Sequence, residues 1–194
     1  MHSTMRFILI FLLSFSALAQ EKGDVDYTFK SLAAADERPD IVYNLDISKS
    51  KLVNFPKNLE RFENLRELNL SKNKISLMPA EVGQLTSVKI MNLEKNKITI
   101  IPPQIGKLQN LRELLMARNE VMEIPKEIGE IATLEKLDFW SNNIQEINPN
   151  VKKLQQLQEF DLRGMLLPDE LKVQLQEWLP ETKFQFTGGC DCGF

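Results

Sequence analysis

One spacing constrains this chain more than any other feature. Residues 65–87 read LRELNLSKNKISLMPAEVGQLTS, and the same apolar template recurs every 23 residues on both sides, with first apolar residues at Val42, Leu65, Val88, Leu111, Leu134 and Leu157. Six units in register, without insertion or deletion, are the mark of a solenoid following L-x-x-L-x-L-x-x-N-x-L. Within 65–87 the apolar positions are Leu65, Leu68, Leu70, Ile75, Met78, Val82 and Leu85. The alternation of Leu68 and Leu70 predicts a short strand with one face buried. One unit has too few apolar side chains to offset the conformational entropy of ordering itself. Stacked units share a core and pair their strands into a parallel sheet, so the array is the cooperative entity.

Just after each strand stands Asn73, Asn96, Asn119 or Asn142. An amide offers two donors and an acceptor to turn backbone, so these four are expected to form a buried structural ladder rather than a ligand site. Ser50 and Met165 take this position in the first and sixth units, and the ladder fades at both ends. The second half of the unit pairs Pro79 with Gly83, Pro102 with Gly106 and Pro125 with Gly129. That suits one helical turn with proline at its start and glycine past its end. The fifth unit carries Asn148 and Lys152 instead, leaving its outer turn open.

Over roughly residues 42–168 these motifs resemble the leucine-rich repeat family. The tail Ile101-Pro102 with Ile105-Gly106 is similar to the Ras-suppressor and Scribble-like class. The resemblance implies an α/β solenoid: a right-handed leucine-rich repeat horseshoe with a parallel sheet on the concave face and short helical turns on the convex face. It also implies a binding scaffold, and that class is mostly intracellular.

The start of the chain points elsewhere. Arg6, the apolar run from Phe7 to Leu13, and Ala17 and Ala19 before Gln20 read as a cleavable secretory signal. The run is too short to span a bilayer, and Met5 as the true start changes nothing. The expected organisation is therefore a signal peptide at 1–19, an N-terminal cap at 20–41, six repeats at 42–167, a cap helix and strand at 168–187, and a cysteine-bearing tail at 188–194. Cleavage after Ala19 makes the protein secreted or periplasmic, without a membrane span. Phe29, Leu32 and Ala33 suit one face of an N-terminal cap helix from Asp26 to Ala35, with Asp24 or Asp26 as N-cap and Pro39 as stop. Leu171, Leu175, Trp178 and Leu179 define a C-terminal cap helix between Pro168-Asp169 and Pro180. Phe184 and Phe186 predict a last edge strand. Cys190 and Cys192 are the only cysteines. In an oxidising compartment they form a tail disulfide, remain variably paired, act as a redox-active pair, or link to another chain.

The only histidine is His2, within the predicted leader, so no imidazole is expected for general-base or metal chemistry. Two thiolates without histidine are too few for a closed zinc site, and no cofactor is expected. Loss of Arg6 makes the formal charge of −3 more negative still, which argues against nucleic acid as partner. Asp138 and Asp161 occupy equivalent strand positions in adjacent units, at a spacing retaining glycosidases use. An open sheet face near Lys136 and Arg163 lacks the cleft such chemistry needs.

The resemblance places the binding surface on the concave face. One column there reads Asp46, Asn69, Asn92, Leu115, Asp138, Asp161, and the next Ser48, Ser71, Glu94, Ala117, Trp140, Arg163. Ile90, Leu115 and Trp140, each 25 residues apart, form an apolar diagonal across it. With Asn92, Ala117, Asp138, Asp161 and Arg163 they are the candidate partner-binding residues. Lys49, Lys72, Lys95 and Arg118 run alongside, with Glu67, Glu113 and Glu159 across the strand, as a solvated charged face or, alternatively, a carbohydrate or polyanion site. The expected function is non-catalytic binding of a protein partner of unknown identity. The alternatives are an envelope or matrix component crosslinked through its tail, and an intracellular signalling scaffold. Oligomeric state is not legible.

Overall fold

The structure is a computed structural model and describes residues 27–187. The expected signal peptide and the Cys190–Cys192 pair lie outside the described residues. Six strands recur at the sequence period: β2 (Asn44–Asp46), β3 (Glu67–Asn69), β4 (Ile90–Asn92), β5 (Glu113–Leu115), β7 (Lys136–Asp138) and β9 (Glu159–Leu162). They pair in parallel and in register, so Leu45, Leu68, Met91, Leu114, Leu137 and Phe160 form one row across the sheet. Every member of that row is buried. This follows from the two-residue side-chain period, which turns one residue of each short strand inward and its neighbours outward.

β6 (Glu123–Ile124) and β8 (Glu146–Ile147) pair in parallel as a separate two-stranded sheet, and two further strands extend the main sheet to eight. β1 (Thr28–Phe29) adds to β2, and β10 (Lys183–Phe186) adds to β9, placing Phe184 opposite Phe160 with ring centroids 5.8 Å apart. The expected edge strand at Phe184 and Phe186 is present. The N-terminal cap differs from expectation. Phe29 lies on β1, not on a helix, and α1 covers only Leu32–Asp36, with the Ser31 side chain accepting from the Ala34 amide. Ala33 is exposed and Ala35 is the buried residue. A bulky Phe29 gains more by joining the Leu45 row than by lining a helix too short to bury it. At the other end α2 (Asp169–Trp178) follows Pro168, buries Leu175, and packs Leu171 and Trp178 against the core.

The outer side is built of 3-10 turns at Ala80–Gln84, Pro103–Lys107, Lys126–Glu130 and Pro149–Lys153. Pro79, Pro102 and Pro125 stand immediately before them in extended conformation. The glycines lie inside the turns rather than past their ends, which corrects the capping role expected of them. A Cβ on Gly83 would sit 2.7 Å from the Gln104 carbonyl oxygen of the next turn, and one on Gly129 would collide with the Asn150 carbonyl. Glycine is there for close stacking. The fifth outer turn does form: Asn148 caps it by accepting from the Asn150 amide at 3.0 Å, and among the described residues no further 3-10 turn follows for Lys152 to obstruct. In the first repeat Glu60 holds the glycine position and the turn shortens to Leu59–Arg61. A cleft of about 550 Å³ lined by Phe55, Leu77, Pro79 and Leu85 opens there between the first and second repeats.

Candidate functional site

The asparagine ladder is the frame on which the exposed surface hangs. Asn119 donates to the carbonyls of Leu93 (3.0 Å) and Met116 (2.9 Å) and accepts from the Ile98 amide (3.0 Å). Asn73, Asn96 and Asn142 repeat this pattern one unit apart, and all four are at most 9 % exposed. Each amide ties its own strand end to the preceding repeat. The backbone ladder also continues past the strands, with the Lys49, Lys72, Lys95, Arg118 and Ser141 amides donating to the next repeat at 2.7 to 3.0 Å. Those five residues and Gly164 all have positive φ, between 54° and 80°. The sharp turn out of the strand demands this left-handed geometry, a constraint the sequence carried in Gly164 at the equivalent sixth position and that the charge-based reading passed over.

On the exposed strand face the first column has structural work. Asp46, Asn69, Asn92, Asp138 and Asp161 each accept, at 3.0 Å, from the amide two residues on. Leu115 interrupts the column with a side chain that cannot accept. Asn92, Asp138 and Asp161, named as partner-binding from the sequence, are thus already engaged with their own backbone. Ala117 is 3 % exposed and forms the floor between Glu94 and Trp140 rather than a contact point, because its single methyl is overtopped by the longer side chains flanking it in the column.

Trp140 is half-buried and held from both sides. The Arg118 guanidinium lies 4.3 Å from its ring and that of Arg163 5.9 Å. Arg163 in turn grips Asp161, with Nε 3.0 Å from Oδ1 and Nη2 2.6 Å from Oδ2. Burial pushes the Asp138 carboxyl above its usual range, against the Trp140 amide that lowers it, with the Asp161 and Glu94 charges adding to the rise. Lys136 is raised by its bond to Glu159, 3.1 Å away. Both Asp161 oxygens are committed to Arg163.

The predicted residues fall into two groups. Ile90, Asn92 and Leu115 line one end of a shallow groove of about 280 Å³ that runs over Asn69 and Asp46 to Lys30. There burial raises the Asp46 carboxyl, but Lys30 at 2.7 Å and the Ser48 amide outweigh it and hold it below its usual range. Asp138, Trp140, Asp161 and Arg163 make a second cluster. Leu115 pairs with Asp138 across the strands, so Trp140 is its diagonal neighbour at roughly 7 to 8 Å and joins the two groups. Among the described residues no group of histidine, cysteine and carboxylate side chains is arranged to hold a metal, and no helix is long and apolar enough to cross a membrane.

A family model described as a leucine-rich repeat region matches residues 42–179. No curated protein sequence matches. Among solved structures, a leucine-rich repeat protein of Leptospira interrogans is 25 % identical with a TM-score of 0.66, over 83 % of this chain and 47 % of that one. The Arabidopsis receptor kinase HAESA, in complex with a peptide hormone and a co-receptor, is 27 % identical with a TM-score of 0.58, over 76 % of this chain and 26 % of that one. The ectodomain of another receptor kinase of Arabidopsis thaliana, GASSHO1, in complex with Casparian strip integrity factor 2, is 26 % identical with a TM-score of 0.55, over 66 % and 17 %. This chain spans less than half the length of each.

Proposed function

The chain belongs to the leucine-rich repeat family, and from that premise we propose that it is a non-catalytic, exported scaffold that binds a protein partner across its exposed strand face. The observation that carries this reading is Trp140, clamped between two guanidinium groups beside the one break in the column of backbone-capping side chains. An aromatic ring held in place loses little freedom on binding, and tryptophan is enriched among the interface residues that dominate affinity. Leu115 gives up a side-chain cap that five other repeats retain, a loss with no return inside the fold. The similarity to receptor ectodomains solved with peptide or protein ligands supports a protein partner. Export rests on residues 1–19.

Capture of proteins from the native surroundings tests the proposal. A partner retained by the unaltered chain is expected to be weakened at least tenfold, about 1.4 kcal/mol, by Trp140→Ala. Leu115→Asn restores the missing cap, so it is expected to keep or raise the melting temperature while lowering capture. Gln104→Ala on the outer side changes neither. Equal capture by all four chains places the site elsewhere.

A further inference from the structure

The edge of the solenoid just beyond the strands carries a charge pattern that the fold does not require. In each of the first three repeats two lysines flank the inward asparagine position: Lys49 and Lys51, Lys72 and Lys74, Lys95 and Lys97. All six are exposed, and among the described residues none takes part in an ion pair. Backbone bonds between successive repeats at these very positions stack them one strand spacing apart, about 4.8 Å. Like charges at that spacing oppose folding, and four of the lysines, Lys49, Lys51, Lys72 and Lys95, sit at positive φ, where glycine is the easier residue. Later repeats show that the fold manages without them. The same pair of positions reads Arg118 and Glu120, then Ser141 and Asn143, then Gly164 and Leu166.

A second pattern covers these three repeats and the fourth. Two or three residues after the second lysine position, each of the first four repeats exposes one aliphatic side chain: Val53, Leu77, Ile100 and Met122, 51 to 66 % exposed. The fifth repeat has Gln145 and Glu146 there. The lysine pairs end after the third repeat and the exposed aliphatics after the fourth, where Arg118 is the last cation at the first lysine position. Their chemistry is wrong for a protein interface, whose decisive residues are tryptophan, tyrosine and arginine and whose core is depleted in lysine. It is wrong for nucleic acid as well, since no aromatic side chain interleaves the lysines to stack on bases. Flexible ammonium groups beside protruding aliphatics match a headgroup layer over acyl chains.

We propose that this edge docks the protein onto an anionic lipid surface, the lysines meeting headgroups and the aliphatic row entering the layer beneath. The net negative charge of the whole chain is no obstacle, because the field that matters is local to within about 8 Å at physiological salt. The contact is separate from the exposed strand face, which leaves Trp140 free while the edge is bound.

Flotation of the full chain with lipid vesicles tests this, the apolar residues 1–19 being common to every variant. Binding to vesicles holding roughly a third phosphatidylglycerol is expected to exceed binding to pure phosphatidylcholine at least tenfold and to fall steeply from about 50 to about 200 mM salt. The combined Lys72→Gln, Lys74→Gln, Lys95→Gln, Lys97→Gln variant is expected to lose at least ~tenfold, against a ceiling of roughly six-hundredfold were all four to contribute about fivefold each. Leu77→Ser with Ile100→Ser is expected to lose severalfold while keeping the salt dependence. All are judged on chains with unchanged circular dichroism and melting. Equal binding to neutral and anionic vesicles, or no loss in the lysine variant, overturns the proposal. So does full vesicle binding by the serine variant together with complete competition by dextran sulfate, the behaviour of a soluble-polyanion site.

Discussion

Asn119 shows how much a single amide does in this molecule. It closes three hydrogen bonds to backbone groups of two repeats, all in the interior. Asn119→Leu keeps the branched outline and removes every hydrogen-bonding atom of the side chain, leaving groups that cost about 1 to 3 kcal/mol each when buried unpaired. We expect a loss of roughly 3 kcal/mol or more by urea unfolding. Ser50→Asn, at the end where the Ile47 carbonyl is already taken by Asn73 and, among the described residues, no earlier repeat stands, is expected to change stability by less than about 0.5 kcal/mol. Asp138 offers a test of opposite sign. Its folded pKa is raised, so the folded state holds the proton more tightly than the unfolded state does, and ionisation costs stability as pH rises through that folded value. Asp138→Asn keeps the acceptor for the Trp140 amide and removes the cost. Its melting temperature at neutral pH is expected to exceed that of the unaltered chain, with the advantage gone below the ordinary aspartate pKa. An advantage equal at pH 3 and pH 7 rules this electrostatic cause out.

Between elements, the stacking of outer turns sets the tolerance. Gly83→Ala drives a methyl into the Gln104 backbone, a contact only backbone movement can relieve, and is expected to cost about 1 to 3 kcal/mol. Lys152→Ala, in the turn that no further 3-10 turn covers, is expected to stay within about 0.5 kcal/mol in the same denaturation assay. Strand rows, the asparagine ladder and α2 were legible because each follows a fixed period of buried side chains. The role of the glycines was not, because close approach between turns depends on the neighbour's backbone, which leaves no trace in its side-chain pattern. α1 was misread for a related reason: Phe29 fits a helical face in isolation, and only the presence of β2 beside it makes a strand the better burial. Leu115 and Trp140 stand out in the sequence because they break their columns. The capping work of Asn92, Asp138 and Asp161 was hidden, since a side chain serving its own backbone reads as any exposed polar residue.

Taken whole, the molecule is one row of eight strands closed at each end by a strand and a helix, with two unlike surfaces on adjoining sides: an exposed strand face centred on Trp140 and a lysine-aliphatic edge over the first four repeats. The row of hydrogen bonds that joins the repeats lies along the stacking axis, and this gives the chain a mechanical character. Tension applied between its two ends pulls on those bonds lengthwise, a few at a time, instead of shearing many at once. Such a molecule parts like a zipper. Yielding starts at an end, where β1 contributes only two residues, and each surrendered repeat pays out 23 residues of slack, roughly 75 to 80 Å of chain. Held and pulled at its two ends, such a protein acts as an extensible tether with a low yield force, absorbing a pull repeat by repeat.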